Sequence, residues 1–479
     1  MKRYTVWITI VFWGLGIICT PAANARDSQP DTPSPKVNPK TGRAVDWAAI
    51  ETLDMQTAVA VALAGNPDIG AAVERVHQAK ARVAQARSTY WPRLDTNVTA
   101  ARVELSKEVY NENLTTARYF NPNATIDDPE DYYNAGLTAS WTLFDGFERK
   151  FTNLSARYGE KSGTEALEDV RRLLISAVAQ SFFSAQLAQE NIAIAKADEA
   201  FNQRQLTDAK ARRRVGTGSL SDVLNFQVRG NQARTTRINE EYQYKTALFG
   251  LAALLGLPDA RLPDHVELAH LAPETPKELS TPLVAQLIAD AMDRRPDIRE
   301  ARWNIKQTEA QIKIAQAGYY PTISVAGSVD GERDHDMHFS RDDFGNSIQV
   351  SLSYNLFSGG MTKAKVREAR HKKKELEKSL EDRMLSATAD IRSSAALVAT
   401  AQAQVVLQRE NAGLVQRTRD LVEKEYNAGQ ASLVRLNEAQ KDLTTARGNL
   451  ALALVGLRQA WIELHTRTGT LLNMYENSR

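Results

Sequence analysis

Apolar and polar residues alternate through the segment from residue 345 to residue 360. The apolar positions are Ile348, Val350, Leu352, Tyr354 and Leu356, and serine, glutamine or asparagine stands between them. Because successive side chains of a strand point to opposite faces, this pattern predicts a strand with one apolar and one polar face. Such a strand suits a boundary between an apolar environment and water.

A very long helix is predicted directly after this strand. Residues 361–428 contain no proline and one glycine, and they are rich in alanine, leucine, glutamate, lysine, glutamine and arginine. These residues favour a helix, which at 1.5 Å per residue would be roughly 100 Å long. The same order of elements occurs earlier in the chain, where a second long helix is predicted from Phe147 to about Arg214.

The chain contains two copies of one sequence repeat. Pro67-Asp68-Ile69 returns as Pro296-Asp297-Ile298 after 229 residues, whereas Phe144-Asp145-Gly146 matches Phe357-Ser358-Gly359 after 213 residues. The difference of 16 residues falls between residues 92 and 144, which predicts a surface loop that tolerates insertions. Each copy therefore has the order helix, strand, strand, long helix, return helix.

The predicted domain organisation follows from these patterns. It comprises a signal peptide at 1–25, a flexible leader at 26–46, a first repeat at 47–257, a linker at 258–280, a second repeat at 281–472 and a tail at 473–479. Strands are predicted at about 93–104 and 134–143 in the first repeat, and at about 322–330 and 346–356 in the second. Glycine turns at 215–218 and 428–430 end the long helices.

The first 25 residues have the composition of a secretory signal. Lys2 and Arg3 precede a mostly apolar stretch, and Ala23-Asn24-Ala25 is a small-residue cleavage site. The single cysteine, Cys19, lies inside this segment, so the mature chain has no disulfide. Lipidation of Cys19 is the alternative, but Gly16-Ile17-Ile18 lacks the expected small residue just before the cysteine.

Charge composition argues against a nucleic-acid partner. The chain has 60 lysine and arginine residues and 58 aspartate and glutamate residues, and removal of the signal peptide brings the formal net charge to zero.

The strands have the length and patterning of a membrane β-barrel. Strands of nine or ten residues with alternating faces cross an outer membrane at a tilt, and four strands need further copies to close. Aromatic residues gather where strands meet helices, as in an interfacial girdle. The predicted lipid-facing residues are Leu137, Trp141, Ile348, Val350, Leu352 and Tyr354. A soluble β-sandwich and an ordinary long antiparallel coiled coil are the alternatives for the strands and helices.

The whole mature chain resembles the TolC family of outer membrane channels. The likeness rests on the twofold order of elements, the corners at Phe144 and Phe357, and the glycine-containing tip segments 213–224 and 426–433. The resemblance implies a mostly α fold with a membrane β-barrel. In it, three chains form a 12-stranded barrel and a 12-helix periplasmic α-barrel, as a passive exit duct with no catalytic site, cofactor or metal.

The resemblance also implies partners and a location. The duct would lie in the outer membrane, in contact with its lipid, and extend into the periplasm. There its tips would dock a periplasmic adaptor (membrane fusion) protein joined to an inner-membrane pump of the RND or ABC type. The implied docking residues are Val215, Gly216, Thr217, Gly218, Ser219, Leu220, Ala428, Gly429, Gln430, Ser432 and Leu433.

The gate residues depart from the family pattern. In this family an aspartate of the first repeat bonds to a tyrosine and an arginine of the second, and Asp222 and Tyr426 match the first two. The arginine position is Ala431 here. A pair of acidic residues that rings the lumen in relatives corresponds to Arg435 and Glu438. Solvated turn residues are the alternative interpretation of Asp222 and Tyr426.

Other chemistry has little support. Asp334-His335-Asp336-Met337-His338 holds ligand-type residues at close spacing, but it lacks a helical zinc-binding frame, so we expect a solvated loop. No nucleotide fingerprint or catalytic triad pattern is found, and we expect no enzymatic activity. Small-molecule or drug efflux is the expected function. Type I protein secretion is one alternative, and a periplasmic helical-hairpin adaptor or scaffold is the alternative of another class.

Overall fold

A computed structural model of the chain describes residues 47–334 and 336–476, and it is mostly helical. The predicted signal peptide with Cys19, the leader through residue 46 and the last three residues of the tail lie outside the described residues. The helices are α1 Met55–Gly65, α2 Pro67–Ser88, α3 Lys107–Phe120, α4 Glu148–Arg214, α5 Leu220–Leu254, α6 Val284–Arg294, α7 Pro296–Ala317, α8 Met361–Asn427, α9 Leu433–Thr468 and α10 Leu471–Glu476. The strands are β1 Thr52–Leu53, β2 Arg93–Val103, β3 Glu130–Asp145, β4 Glu267–Leu268, β5 Thr322–Asp334 and β6 Phe344–Ser353.

Local chemistry fixes the helix ends. Asn66 caps α2 by accepting a hydrogen bond from the Asp68 amide at 2.8 Å, and Pro67 occupies the first turn, where its missing N–H costs nothing. Ser219 and Ser432 cap α5 and α9 in the same way. Beyond α4 and α8, Gly216 and Gly429 take φ values of 81° and 77°, a region that glycine enters without strain.

The long helices lie side by side in rows. α4 packs against α2 and α7 near the strands, and against α5 and α9 farther away. α8 packs against α6, α7 and α9. A first core cluster joins α4 to α1, α5, α9 and α10 through residues such as Phe182, Leu251 and Leu471, and a second joins α8 to α9 through Ile391, Val398 and Leu457.

Strands β2, β3, β5 and β6 form one antiparallel sheet in that order. Leu137 pairs with Val329, Val325 with Val350, and Ile323 with Leu352. Directly opposed residues of antiparallel strands share a face, so this register places the apolar residues together. A small parallel pair, β1 with β4, links the start of the described chain to the segment between the repeats.

The strand bounds differ from the predicted ones. β3 begins at Glu130 rather than 134 because its first residues pair with β2 and with the end of β5, which itself continues to Asp334. β6 ends at Ser353, which pairs with the first residue of β5, Thr322. Pro321, just before it, has no N–H to extend the ladder. Tyr354, predicted on the lipid-facing strand, therefore lies beyond the strand.

A helix that the sequence analysis missed lies between β2 and β3. α3 starts after Ser106, whose hydroxyl accepts a hydrogen bond from the Val109 amide at 3.4 Å, and none of its residues is buried. Within the described residues, none of the helices carries an apolar stretch long enough to cross a bilayer.

Candidate functional site

One face of the four-stranded sheet is apolar and exposed. Leu137, Trp141, Ile348, Val350 and Leu352 all lie on it, and Ile348 is 86% exposed in the single chain. Soluble domains rarely leave so many apolar side chains on one contiguous surface. The face therefore suits contact with an apolar environment.

The opposite face carries hydroxyl, amide and carboxylate groups. Ser328 and Ser347 are hydrogen-bonded across the strands at 3.0 Å, and Asn97 donates to Asn134 at 3.3 Å. Gly136 leaves room for the Asp330 carboxylate, with which any side chain at this position would collide. This face is suited to water and polar solutes.

Aromatic residues and Arg149 anchor the sheet to the helices. The Trp141 indole N–H donates to the Tyr90 carbonyl at 3.0 Å. The Arg149 guanidinium lies over the Tyr90 ring, donates to Asp145 at 2.6 Å and donates to the Leu143 carbonyl at 3.1 Å. Sequence patterns did not single out Arg149, because Asp145 ends β3 and Arg149 lies in the first turn of α4, so the pair does not belong to one helix.

The two hairpin turns lie at the far ends of the long helices. Gly218 approaches the backbone of Arg213 so closely that a side chain would need the turn to shift, and the Thr217 amide donates to the Arg212 carbonyl at 2.9 Å. The predicted docking residues form the surface of these turns. Val215, Gly216, Thr217, Ser219, Leu220, Ala428, Gly429, Gln430 and Ser432 are exposed, and Gly218 and Leu433 are half-buried.

Tyr426 occupies the centre of a cluster between the two hairpins. Its ring contacts Phe226 edge-on at 6.3 Å, and the Arg212 guanidinium lies 5.1 Å from the ring centroid. Arg212 also donates to the Asn427 side chain at 2.7 Å. Burial raises the pKa of Tyr426, and the negative charge of Asp222 raises it further. Arg212 thus places a guanidinium beside Tyr426 in a chain that has alanine at position 431.

The remaining predicted gate residues lie on α9. Arg435 Nη1 is 3.1 Å from Glu425 Oε2 at the end of α8, and Glu438 is exposed. The structure therefore pairs Arg435 with a carboxylate of its own hairpin.

Amide side chains tie the two hairpins together along the last turns. Gln205 donates to Glu423 at 2.9 Å, Asn437 donates to Asn225 at 3.0 Å, and Gln440 donates to Asp198 at 2.8 Å. These contacts join residues more than 200 positions apart. No local sequence pattern could have revealed them.

The loop after β5 is held by an ion-pair network. Arg333 donates to Asp336 at 2.7 Å and to Asp343 at 3.1 Å. The hydrogen bond from Arg333 is the main cause that lowers the pKa of Asp336 to about 2. Among the described residues, which exclude His335, no group of three or more potential metal ligands is found.

Comparison with known proteins identifies the family. The profile described as "Outer membrane efflux protein" matches residues 58–257 and 287–470. The chain is 25% identical over 425 residues to the pyoverdine export outer membrane protein OpmQ of Pseudomonas aeruginosa, covering 88% of this chain and 86% of OpmQ. It is also 25% identical to the cation efflux system protein CusC of Escherichia coli, covering 87% and 85%.

The fold is similar to that of solved channels. The outer membrane channel CmeC of Campylobacter jejuni superposes with a TM-score of 0.71 over 93% of this chain and 90% of CmeC, at 17% identity. At this identity the likeness concerns the fold alone. Because the family profile covers both halves of the chain, this protein belongs to the outer membrane efflux protein family.

Proposed function

We propose that three copies of this chain form a passive exit duct across the outer membrane and the periplasm, within a tripartite export system. The observation that carries the proposal is the two-faced sheet, whose apolar face is exposed while its polar face holds hydroxyl, amide and carboxylate groups. As an outer membrane efflux protein, the chain lies in the outer membrane. The known channels that it resembles are not enzymes, and the proposal includes no catalytic site.

The sheet supports closure by further copies. Its outer strands, β2 and β6, each pair on one side only within the chain. Unpaired backbone groups are not tolerated in the hydrocarbon region, so a sheet in lipid has to close on itself. Three sheets of four strands would supply a barrel of twelve, within the range of membrane barrels. The equal lengths of α4 and α8, both 67 residues long, support a twofold repeat within each chain.

Exposed apolar seams on two helices support the same assembly. On α8, Leu407, Leu414 and Leu421 are exposed at intervals of seven residues, and Leu414 is 55% exposed. On α5, the exposed apolar residues Val228, Tyr242 and Phe249 are also separated by multiples of seven. Residues with this spacing form one stripe on a helix and suit coiled-coil-like packing. We propose that the α5 seam of one copy packs against the α8 seam of the next copy.

The tips are the proposed docking surface for a periplasmic adaptor. They combine exposed apolar residues, such as Val215 and Leu220, with turns shaped by glycine. An inner-membrane pump would load the duct through that adaptor. Small molecules or ions are the favoured cargo class, since two relatives are named for pyoverdine export and cation efflux. Pyoverdine and cations are the cargoes of those relatives and are not assigned to this chain.

Planar-bilayer recording tests the proposal. Purified full-length protein should give discrete conductance steps, because a closed barrel with a polar interior passes ions. The double variant Leu407→Glu/Leu414→Glu serves as the comparison, since it should abolish the steps by preventing assembly. The proposed duct would be refuted if trimeric wild-type protein inserted into the bilayer and did not conduct, even after the tips had been removed.

A further inference from the structure

A cavity of about 630 Å³ lies beside the first core cluster, far from both the sheet and the tips. Its apolar walls come from α4, α9 and α10 and include Phe182, Phe183, Trp461, Ile462 and Tyr475. The segment between β4 and α6, together with Met55 of α1, forms the remaining wall. Cavities of this size with mostly apolar and aromatic linings and a few polar groups are typical of small-molecule sites.

Gln186 lines this cavity and carries an unpaired acceptor. The residue is 3% exposed, and its amide nitrogen donates to the Ala269 carbonyl at 2.6 Å. Its carbonyl oxygen Oε1 is buried and has no hydrogen-bond partner. A buried acceptor without a partner costs about 1–3 kcal/mol, so this position calls for a donor.

The cavity also carries one uncompensated positive charge. Arg458 is neutralised by Glu278 at 3.3 Å and donates to the Ala272 carbonyl at 2.7 Å. Lys277 has no ion-pair partner among the described residues. Burial, together with the charge of Lys277, lowers the pKa of His465, so this imidazole is neutral at pH 7. A ligand with a single negative charge would balance Lys277.

The aromatic wall favours a flat ligand. The Trp461 and His465 rings are stacked with centroids 5.6 Å apart, and the His465 Nδ1 is 3.0 Å from the Thr470 hydroxyl. Both rings are therefore held in place. Stacked and edge-on contacts to fixed rings favour an aromatic body over a flexible chain.

We propose that this cavity binds a small aromatic hydroxy-carboxylate, with its carboxylate at Lys277, its ring system against Trp461 and its hydroxyl donating to Gln186 Oε1. A membrane lipid is excluded by distance. Phe182 lies 34 residues beyond the start of α4, which begins three residues after β3 ends, and this places the cavity about 50 Å along the helix from the sheet. The ligand is therefore a soluble molecule. The site is independent of the proposed duct and of the tips.

The test uses 6-hydroxy-2-naphthoate as the probe, titrated calorimetrically into full-length protein in lipid nanodiscs. 2-Naphthoate lacks the hydroxyl donor, and 6-(hydroxymethyl)-2-naphthol lacks the charge. Empty nanodiscs give the background from partition into lipid. We expect saturable binding of the probe with one site per chain, and tighter binding than either analogue.

Gln186→Leu and Gln189→Leu form a matched pair. Both glutamines lie on α4, donate to a carbonyl of the same segment and keep a buried unpaired oxygen, but Gln189 lines a neighbouring cavity. Gln186→Leu should weaken binding of the probe about three- to tenfold, as expected for one hydrogen bond, and leave 2-naphthoate binding unchanged. Gln189→Leu should change neither.

Lys277→Gln should weaken both carboxylates at least about tenfold, because a charge-assisted bond is lost, and should leave the neutral analogue unchanged. Retained 2-naphthoate binding in Gln186→Leu shows that the variant is folded. No saturable binding of the probe up to about 1 mM would overturn the proposal. Equal losses in the Gln186 and Gln189 variants would also overturn it, since they would reflect the shared segment rather than the cavity.

Discussion

Helices α4 and α8 have the same length, 67 residues, yet they are buried to very different extents. α4 buries 21 of its residues, whereas α8 buries 11. Their return helices show the reverse order, because α5 buries 5 of 35 residues and α9 buries 15 of 36. α4 and α9 contact each other in the middle of a row, and α5 and α8 form its two edges.

The difference teaches that position in the row, not helix-forming tendency, decides which apolar residues are covered. α4 and α9 bury more of their residues within one chain, although Leu173 of α4 and Leu452 of α9 remain exposed. The edge helices keep apolar seams exposed, with leucines at intervals of seven on α8. Interior helices should therefore be insensitive to assembly, whereas edge helices should depend on it.

The largest effect is expected from placing negative charges on the exposed seam of the edge helix α8. Leu407→Glu combined with Leu414→Glu should prevent trimer formation, because each leucine buried in the proposed trimer contributes about 1.5–3 kcal/mol and the seam recurs at each of its interfaces. Unboiled gel electrophoresis and light scattering in detergent measure the outcome. Ala399→Glu is the control, at an exposed position of α8 outside the heptad series. If the double variant were fully trimeric, the α8 seam would not be part of the trimer interface.

The sheet provides a second edge to test. Leu352 lies on the apolar face and Ser351 on the polar face of β6. Leu352→Arg should cost about 2–4 kcal/mol near the middle of the membrane and reduce the yield of inserted protein in outer membrane fractions. Ser351→Arg should insert normally. Equal damage from both substitutions would show that the assigned faces are wrong.

A third prediction concerns the contact at the tips between the two hairpins, α4 with α5 and α8 with α9. Arg212→Ala removes the guanidinium from Tyr426 and Asn427. One hydrogen bond from a charged donor contributes about 1.5–3 kcal/mol, so at the lower bound open tips become about tenfold more frequent and single-channel conductance rises. Arg213→Ala, in the exposed neighbour, is the control. Unchanged conductance in Arg212→Ala would show that Arg212 does not hold the tips closed.

Two further tip variants separate the remaining gate residues. Asp222→Ala should also raise conductance, because it removes a charge next to Tyr426. Arg435→Ala should raise conductance and strengthen cation selectivity, since it uncovers Glu425 as well as Glu438. Reversal potentials in a salt gradient give the selectivity. An anion-selective Arg435 variant would contradict this assignment.

The smallest expected effect lies in the interior, where assembly should not matter. Two bonds from Arg295, at 3.0 and 2.8 Å, hold the Asp297 carboxylate, and Arg295 also donates to the Arg467 carbonyl near the end of α9. Burial alone would raise the pKa of Asp297, but the hydrogen bonds and charge of Arg295 outweigh it and lower the pKa. The stabilisation is therefore complete above the unfolded pKa of about 3.9 and is lost as the pH falls through the lower folded pKa.

Asp297→Asn should accordingly lower the denaturant midpoint at pH 7, and the difference from the wild type should shrink below about pH 4. Asp293→Asn is the matched control, because that carboxylate is 82% exposed and pairs with Arg302 at 3.2 Å. A difference that grows on acidification would contradict the assigned direction.

Local signals were sufficient for the long helices, although they did not reveal α3. The long helix predicted over residues 361–428 ends one residue earlier in the structure, and the long helix predicted from Phe147 begins one residue later. Proline, glycine and capping residues act within a few positions of the chain. Their effects can therefore be derived without knowledge of the neighbours.

Features that depend on distant partners could not be predicted. The extra residues of β3 form a strand because β2 lies beside all four of them and β5 beside the last two, and their own sequence, Glu-Asp-Tyr-Tyr, does not alternate. Arg212 and Tyr426 are 214 positions apart, so only the fold brings them together. The different burial of α4 and α8 likewise follows from their places in the row, which the repeated sequence pattern does not distinguish.

The oligomeric mass of the full-length protein tests the central claim most directly, that one chain is an incomplete wall whose edges are covered by further copies. Native mass spectrometry of protein released from lipid nanodiscs measures it. The account predicts a mass three times that of one chain, with the trimer lost in the Leu407→Glu/Leu414→Glu variant. A monomeric mass from protein whose sheet is formed and inserted would contradict it.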